Sequence, residues 1–161
     1  MDKALRAKVS LRNPWHFLAL GFGSGLAPKA PGTFGSLAAI PLLLLLSNTQ
    51  SLLFVVVAIL AAVIGIKICA VTSEAMEVHD HGSIVWDEIA GMLCAFIWIP
   101  LHWDTILLGF VLFRWLDIQK PLFIGVLDRK LHGGLGIMAD DIAAGVVTCG
   151  VLHGYLYLLV N

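Results

Sequence analysis

Residues 52–71, LLFVVVAILAAVIGIKICAV, form the longest continuous apolar stretch of the chain, interrupted only by Lys67 near its end. About 20 helical residues cross the hydrocarbon core of a bilayer, so this stretch is long enough to span a membrane. The whole chain has the same character: 59% of its 161 residues are hydrophobic, 13% are charged, and its mean hydropathy is +0.92. An average soluble domain is about 45–50% apolar and about 25% charged. The composition therefore favours an integral membrane protein.

Further apolar segments lie on both sides of this stretch, at 37–47, 84–101, 105–116 and 142–160. Those at 37–47 and 105–116 are short for a crossing, and apolar segments of about 10–14 residues can instead be buried or re-entrant. We predict one all-α domain over residues 1–161, a polytopic membrane helical bundle with some short or re-entrant helices. The alternative is a soluble all-helical domain with an unusually apolar core.

The connecting segments differ in composition. Residues 1–12 are a basic lead-in, and residues 117–141 are the most polar part of the chain. Glycines and prolines crowd residues 21–36, GFGSGLAPKAPGTFGS, and predict a loop there.

The basic residues all fall on one side of the predicted bundle. If 37–71 and 84–116 are two hairpins and 142–160 crosses once, all ten Lys and Arg residues lie on the side of the N-terminus. Cytoplasmic loops of membrane proteins are enriched in Lys and Arg. We therefore predict a cytoplasmic N-terminus. The same assignment places every acidic residue except Asp104 on the cytoplasmic face, which is where we expect the active site.

Acidic pairs stand where apolar helices begin. Asp87-Glu88 interrupts the segment 84–101, and Asp140-Asp141 directly precedes the last apolar segment. Carboxylates beside apolar helices are costly unless they are paired or bind metal, and clustered carboxylates repel one another unless a cation lies between them. Oxygen ligands without a His/Cys set suit Mg²⁺ or Mn²⁺. We predict a Mg²⁺ site whose ligands are drawn from Asp87, Glu88, Asp117, Asp128, Asp140 and Asp141.

Readings without a metal remain open for both acidic pairs. Asp140 and Asp141 could cap the last helix, because Asp is favoured at that position. Asp87 and Glu88 could instead form an ion pair with Arg114 or Lys120.

The two acidic pairs share a local pattern. Residues 81–91 read H-G-x4-D-E-I-A-G, and residues 132–145 read H-G-x6-D-D-I-A-A-G. An internal repeat and a chance similarity are both compatible with so short a match.

A group of cations suits a phosphate. Arg114 and Asp117 are three apart and share a helix face, and Lys120 comes just before Pro121, where the helix should end. Cations there could hold phosphate oxygens while the carboxylate holds a metal, although snorkelling at the membrane edge would also explain Lys120. The backbone of Gly32-Thr33-Phe34-Gly35-Ser36 could bind an anion, with a plain helix cap as the alternative for Ser36.

Several classes of function lack support in the sequence. The net charge of −1 provides no basic patch for a nucleic acid, and nothing indicates a protein partner. The three cysteines lie in apolar segments and match no metal spacing, so we interpret them as packing residues. No cysteinyl-phosphate, aspartyl-phosphate or phosphohistidine phosphatase motif is present. What remains for a phosphatase is attack by metal-activated water.

The chain resembles the phosphatidylglycerophosphatase A family of Gram-negative bacteria from about residue 13 to residue 145. Five motifs carry the resemblance: N-P-W-H (13–16), G-x-G-S-G-L-x-P-x-x-P-G-T-x-G-S (21–36), H-D-H-G-S-I-V-W-D-E (79–88), F-R-x-x-D-x-x-K-P (113–121) and H-G-G-x-G-I-M-x-D-D-x-x-A-G (132–145). The resemblance implies a Mg²⁺-dependent, multi-pass enzyme of the bacterial inner membrane. Its reaction would convert phosphatidylglycerophosphate to phosphatidylglycerol, the precursor of cardiolipin.

Beside the metal ligands, we accordingly expect roles for two further sets of residues. The expected catalytic residues are Asp80, His81, Asp87, Asp140 and Asp141. The expected phosphate-binding residues are Thr33, Ser36, Arg114, Lys120 and Arg129. A small ion-coupled transporter or channel subunit with intramembrane carboxylates is the main alternative function, and a lipid phosphotransferase is a third; release of phosphate would separate hydrolysis from both.

Overall fold

The computed structural model describes residues 3–47, 51–121 and 123–160, and every regular element among them is helical. The all-α prediction is confirmed for this part of the chain. The helices are α1 (Lys3–Lys8), α2 (Pro14–Ala19), α3 (Pro31–Leu46), α4 (Ser51–Met76), α5 (Trp86–Ala95), α6 (Trp103–Gln119), α7 (Phe123–Lys130) and α8 (Gly133–Val160), with a 3₁₀ turn at Gly21–Leu26 between α2 and α3.

The helices α3, α4, α5, α6 and α8 alternate in direction, which gives the bundle two distinct ends. At one end Leu46, Phe54, Ile99 and Pro100 line a common cavity, so the end of α3, the start of α4 and the chain after α5 meet there. Asp104 at the start of α6 reaches Tyr155 near the end of α8 at the same place. We call this the aromatic end, after Trp98, Trp103, Tyr155 and Tyr157. We call the opposite end, where α3, α5 and α8 begin, the carboxylate end, after Asp87 and Glu88 of α5 and Asp140 and Asp141 of α8.

Two helices are long and apolar enough to cross a membrane, Leu52–Met76 and Gly133–Val160. The most apolar window of the first has a mean hydropathy of 2.9, yet only 33% of that window is buried. Side chains such as Leu52, Ile59 and Val63 are more than half exposed. Because the core helix of a soluble protein buries its apolar side chains, the soluble alternative is disfavoured, and the all-α membrane class holds.

Helix α5 lies at the centre of the bundle. Its residues 87–95 are all buried, and it packs against α3, α4, α6 and α8. Ten residues make a helix of about 15 Å, half the thickness of a hydrocarbon core. The predicted apolar segment 84–101 therefore contains a short buried helix and not a helix that crosses the whole membrane.

Two predicted boundaries were wrong. Helix α3 begins at Pro31, so residues 31–36 of the predicted 21–36 loop are helical. Proline at the first helical position loses no hydrogen bond, which lets the helix start inside a Gly- and Pro-rich stretch. Helix α8 begins at Gly133, nine residues before the predicted apolar segment, and α7 occupies much of the polar stretch 117–141.

The N-terminal segment packs along the outside of α4. Val9 is buried in a core cluster with Ile68 and Ile84. Lys8 Nζ lies 2.8 Å from a Glu77 carboxylate oxygen, and this hydrogen bond lowers the pKa of the Glu77 carboxyl. Lys67 lies over the Trp15 ring, 5.0 Å from its centroid. The basic lead-in is thus attached to the carboxylate end of α4.

Candidate active site

Three carboxylates from two helices meet at the carboxylate end. Asp87 and Glu88 lie in the first turn of α5, Asp141 lies in the third turn of α8, and ligand oxygens of all three are within 4.8 Å of one another. Asp87 is 7% exposed, Glu88 9% and Asp141 3%. Of the six carboxylates predicted as metal ligands, the structure brings these three together, and we call them the carboxylate triad. Their role as ligands stays a prediction.

Glycines let the two helices come this close. A Cβ on Gly145 would collide with the carbonyl oxygen of Gly91, and a Cβ on Gly91 would lie 2.7 Å from the carbonyl oxygen of Asp141. Gly91 is four residues after Asp87, and Gly145 is four residues after Asp141, so each acid lies one turn before the crossing on its own helix. The two copies of the repeated pattern therefore pack against each other, with their acids side by side.

The position of Asp141 corrects one alternative interpretation. Since α8 begins at Gly133, Asp140 and Asp141 lie inside the helix, well beyond its N-cap. Capping does not explain either residue. Asp87 and Glu88, in contrast, do occupy a first helical turn, where the helix dipole favours negative charge.

Arg114 is the cation beside the triad. Its Nη1 lies 3.7 Å from Glu88 Oε1, forms an ion pair with Asp117 and lies 3.5 Å from Ser36 Oγ. The Arg114 side chain is 14% exposed, as is that of Asp117. Arg114 and Asp117 share one face of α6, as their spacing predicts, and in addition form an ion pair. The alternative ion pair between Glu88 and Arg114 also exists.

Gly32 and Ser36 bring helix α3 up to this arginine. A Cβ on Gly32 would collide with Glu88 Oε1 and would lie 3.2 Å from both Arg114 terminal nitrogens. Ser36 is fully buried inside α3, and its Oγ donates to the Gly32 carbonyl at 3.0 Å. The helix-cap interpretation of Ser36 was therefore wrong. Thr33 lies in the first turn of α3 and is half-buried.

Lys120 pairs with the neighbouring acid of α8. Its Nζ lies 2.6 Å from Asp140 Oδ2, and Asp140 is 5% exposed. Helix α6 ends at Gln119, with Lys120 as its C-cap in the left-handed region at φ 44°. The helix thus ends just before Pro121, as the sequence predicted, and the turn directs Lys120 toward α8.

The triad carries more negative charge than its neighbours offset. With Lys120 paired to Asp140, full ionisation would set the charges of Asp87, Glu88, Asp117 and Asp141 against that of Arg114. Arg114 contacts both Glu88 and Asp117, so Asp117 adjoins the triad. Asp87 Oδ1, Glu88 Oε2 and Asp141 Oδ2 are buried without a hydrogen-bond partner among the described residues. Each buried oxygen without a partner lowers the stability of the fold by about 1–3 kcal/mol, and by more when it is charged. These oxygens therefore fit a hard cation such as Mg²⁺.

The remaining predicted residues are more peripheral. Asp80 is exposed and His81 half-buried in the α4–α5 loop, where His81 Nδ1 accepts from the Ser83 backbone N–H at 3.1 Å. Arg129 is exposed on α7, and no hydrogen bond or ion pair joins it to the triad within the described residues. The Asp128 backbone belongs to α7, but its side chain lies outside the described part of the chain.

The prediction overlooked a contact between His79 and the start of α8. His79 Nε2 accepts from the Gly133 N–H at 2.8 Å, and the His79 and His132 rings meet edge to face with centroids 5.7 Å apart. This contact ties the loop carrying Asp80 and His81 to the helix carrying Asp141. The two residues are 54 positions apart in the sequence, and no local pattern pointed to their contact.

Comparison with known proteins places this arrangement in a family. Phosphatidylglycerophosphatase A of Escherichia coli (strain K12) is 49% identical over 149 residues, which cover 92% of this chain and 87% of the relative. Phosphatidylglycerophosphatase A of Haemophilus influenzae (strain Rd) is 47% identical, covering 93% of each chain. A Bacteroides thetaiotaomicron protein provisionally named a phosphatidylinositol-3-phosphatase is 37% identical over 80% of this chain and 85% of the relative. No solved structure matches the chain.

The family model described as phosphatidylglycerophosphatase A matches residues 17–156. This range contains the carboxylate triad, Arg114, Lys120 and the α5–α8 crossing. The chain therefore belongs to the phosphatidylglycerophosphatase A family.

Proposed function

We propose that the protein is a Mg²⁺-dependent phosphatase that hydrolyses phosphatidylglycerophosphate to phosphatidylglycerol and inorganic phosphate. The observation that carries the proposal is the carboxylate triad, buried beside Arg114, with an unpartnered oxygen on each acid. The names of the Escherichia coli and Haemophilus influenzae relatives support this substrate. In the cell, the reaction would supply phosphatidylglycerol and, through it, cardiolipin.

The proposed metal ligands are Asp87, Glu88 and Asp141, with Asp117 adjacent to them. When bound, Mg²⁺ offsets the charge of these acids and polarises the phosphate ester. Asp140, paired with Lys120, and Asp128 are further predicted ligands. A site built from carboxylates of α5 and α8 requires the two helices to approach closely. This requirement explains the glycines Gly91 and Gly145 at their crossing.

The proposed phosphate contacts come from Arg114 and Lys120. Arg114 presents a planar fork that matches phosphate oxygens, whereas Lys120 acts as a point charge. Ser36 and the first turn of α3 lie beside Arg114 and complete this side of the site, with Thr33 in that turn. Arg129 on α7 is the more distant predicted contact.

Acidic residues and a histidine of the chain would accept and donate the protons of the reaction. In hydrolysis the water oxygen forms a bond to phosphorus, the ester P–O bond breaks, and the departing glycerol oxygen gains a proton. A carboxylate of the triad or Asp140 would accept the proton of the water. His81, in the accessible α4–α5 loop, would protonate the leaving group, with Asp80 beside it in the same loop.

The site's position suits a substrate that stays in the bilayer. All Lys and Arg residues except Lys67 and Arg114 belong to the loops and short helices of the carboxylate end or to the helix ends there. Cytoplasmic faces are enriched in these residues, so we place this end at the cytoplasmic surface of the bacterial inner membrane. The lipid phosphate could then reach the triad while its acyl chains remain among the membrane-spanning helices.

Phosphate release from purified protein tests the proposal. With phosphatidylglycerophosphate in mixed micelles and Mg²⁺ present, we expect inorganic phosphate and phosphatidylglycerol in equal amounts. EDTA should abolish release, and Mg²⁺ in excess should restore it. Transfer of phosphate to an added alcohol, or full activity in excess EDTA, would contradict the proposal.

A further inference from the structure

A groove at the aromatic end lies far from the carboxylate triad. It encloses about 360 Å³, opens to the surface between α6 and α8, and is lined by Trp103, Asp104, Leu107, Leu108, Val111 and Tyr155. The polar groups of the lining are all at one end of the groove.

The lining of α6 forms a continuous stripe. Residues 104, 107, 108 and 111 repeat at intervals of three and four, so they lie on one helix face. From Asp104 to Val111 the helix rises about 10 Å. The groove therefore runs from the carboxylate in the first turn of α6 along an apolar wall, and Leu107 and Val111 are 57% and 54% exposed.

The polar end of the groove suits a cation. The Tyr155 hydroxyl donates to Asp104 Oδ2 at 3.0 Å, which fixes the carboxylate beside an aromatic ring. Trp103 is 79% exposed next to it. Aromatic faces and a carboxylate together attract an ammonium group. No Lys or Arg competes for Asp104 in the segments 47–51, 98–105 and 153–161, and its basic neighbour in sequence is His102.

We propose that this groove is a binding site for a zwitterionic phospholipid with a primary ammonium headgroup. The ammonium pairs with Asp104 between the Trp103 and Tyr155 rings, and an acyl chain lies against Leu107, Leu108 and Val111. An anionic lipid finds no Lys or Arg in the lining and meets the charge of Asp104 instead. The site is separate from the carboxylate triad and does not depend on the proposed hydrolysis.

Native mass spectrometry of the purified full-length protein tests this directly. The protein is incubated in detergent with equal amounts of phosphatidylethanolamine and phosphatidylglycerol of identical acyl chains. We expect phosphatidylethanolamine to be retained in about tenfold excess, as one charge-assisted contact allows. Asp104→Asn should remove this preference, and Tyr155→Phe should weaken it.

Trp98→Phe is the control, because Trp98 is exposed at the same end but lies outside the groove. It should keep the preference. Equal retention of both lipids by the unaltered protein would overturn the proposal. Undiminished preference in Asp104→Asn would also overturn it, and Tyr155→Phe provides a second reading if Asp104→Asn unfolds.

Discussion

At the scale of single residues, Asp141 shows why a buried acid here points to function. Asp141 lies in the third turn of α8, and its carboxylate is beside the two other acids of the triad. Like charges at this distance disfavour ionisation of the group unless a cation is bound. The protein therefore retains an arrangement that costs stability when no ion is present, which is a common feature of active sites.

Asp141→Asn separates the stability of the site from its activity. The substitution keeps the size of the side chain and removes one repelling charge, so we expect a higher midpoint of thermal unfolding than wild type in EDTA. Mg²⁺ should raise the midpoint of wild type, since a ligand stabilises the state that binds it, and should raise that of the variant much less. Turnover should fall about a hundredfold or more, equivalent to about 2.7 kcal/mol. A variant that is fully active and still stabilised by Mg²⁺ would remove Asp141 from the site.

Arg114→Lys tests whether the arginine fork matters beyond its charge. Arg114 contacts Glu88, Asp117 and Ser36 together, and a lysine has one nitrogen with which to replace these contacts. We expect turnover to fall about tenfold or more for Lys and further for Ala, taking about 1.5–3 kcal/mol per charged hydrogen bond. Arg12→Lys, at an exposed arginine, is the matched control. Near-normal turnover of Arg114→Lys would leave Arg114 as a helix anchor.

The cysteines should be dispensable. Cys69 and Cys94 are buried and Cys149 is half-buried, all three are free thiols, and none belongs to the triad. A triple Cys→Ala protein should keep most of its phosphate release. A loss of about a hundredfold in a folded triple variant would contradict this expectation.

Residue types and local spacing predicted part of this site. The contacts between residues that are distant in sequence could not be predicted from them. The pairing of Arg114 with Asp117 follows from a spacing of three on a helix. The meeting of Asp87 and Glu88 with Asp141 could be inferred only as crowding on one face, because it depends on how α5 crosses α8. The His79–Gly133 contact joins residues far apart in sequence, and no local pattern specifies it.

At the scale of elements, the crossing of α5 and α8 positions the triad. Gly145→Ala would place a Cβ against the Gly91 carbonyl and push the two helices apart. We expect a loss of stability of about 1–3 kcal/mol, as for other overpacked interiors, and a smaller stabilisation by Mg²⁺. Gly150→Ala on the same helix is the control, because nothing lies within 4 Å of a Cβ there. Equal unfolding midpoints for the two variants would show that the close approach is unnecessary.

Element boundaries were less predictable than element types. The apolar runs identified the cores of α3, α4, α6 and α8, but hydropathy places α8 at residue 142 because its first turns carry Asp140 and Asp141. Lys120, just after α6, pairs with Asp140, whereas Asp141 is buried beside the acids of α5. The early end of α5 could not be predicted from hydropathy, because residues 96–101 after it are equally apolar but are not helical.

At the scale of the whole molecule, the charge asymmetry predicts the orientation in the membrane. Cysteines introduced into the cysteine-free protein at Arg12 and Lys130 should be protected from a membrane-impermeant maleimide in intact cells, while one at Asn161 should react. All three should react after permeabilisation. Protection of the Asn161→Cys protein together with the Arg12→Cys protein would place both chain ends on one side, and would mean that one short helix does not cross.

The central claim is that Asp87, Glu88 and Asp141 jointly hold a divalent cation. Diffraction from crystals grown with Mn²⁺ in place of Mg²⁺ tests it most directly, because the anomalous signal locates the ion independently of activity. We predict an anomalous peak between α5 and α8, with carboxylate oxygens of all three residues at about 2 Å, close to the distance typical of Mg²⁺. The same protein must first be shown to release phosphate only when Mn²⁺ is present. An absent peak at the triad in its crystals, or a peak bound by other side chains, would then contradict the claim.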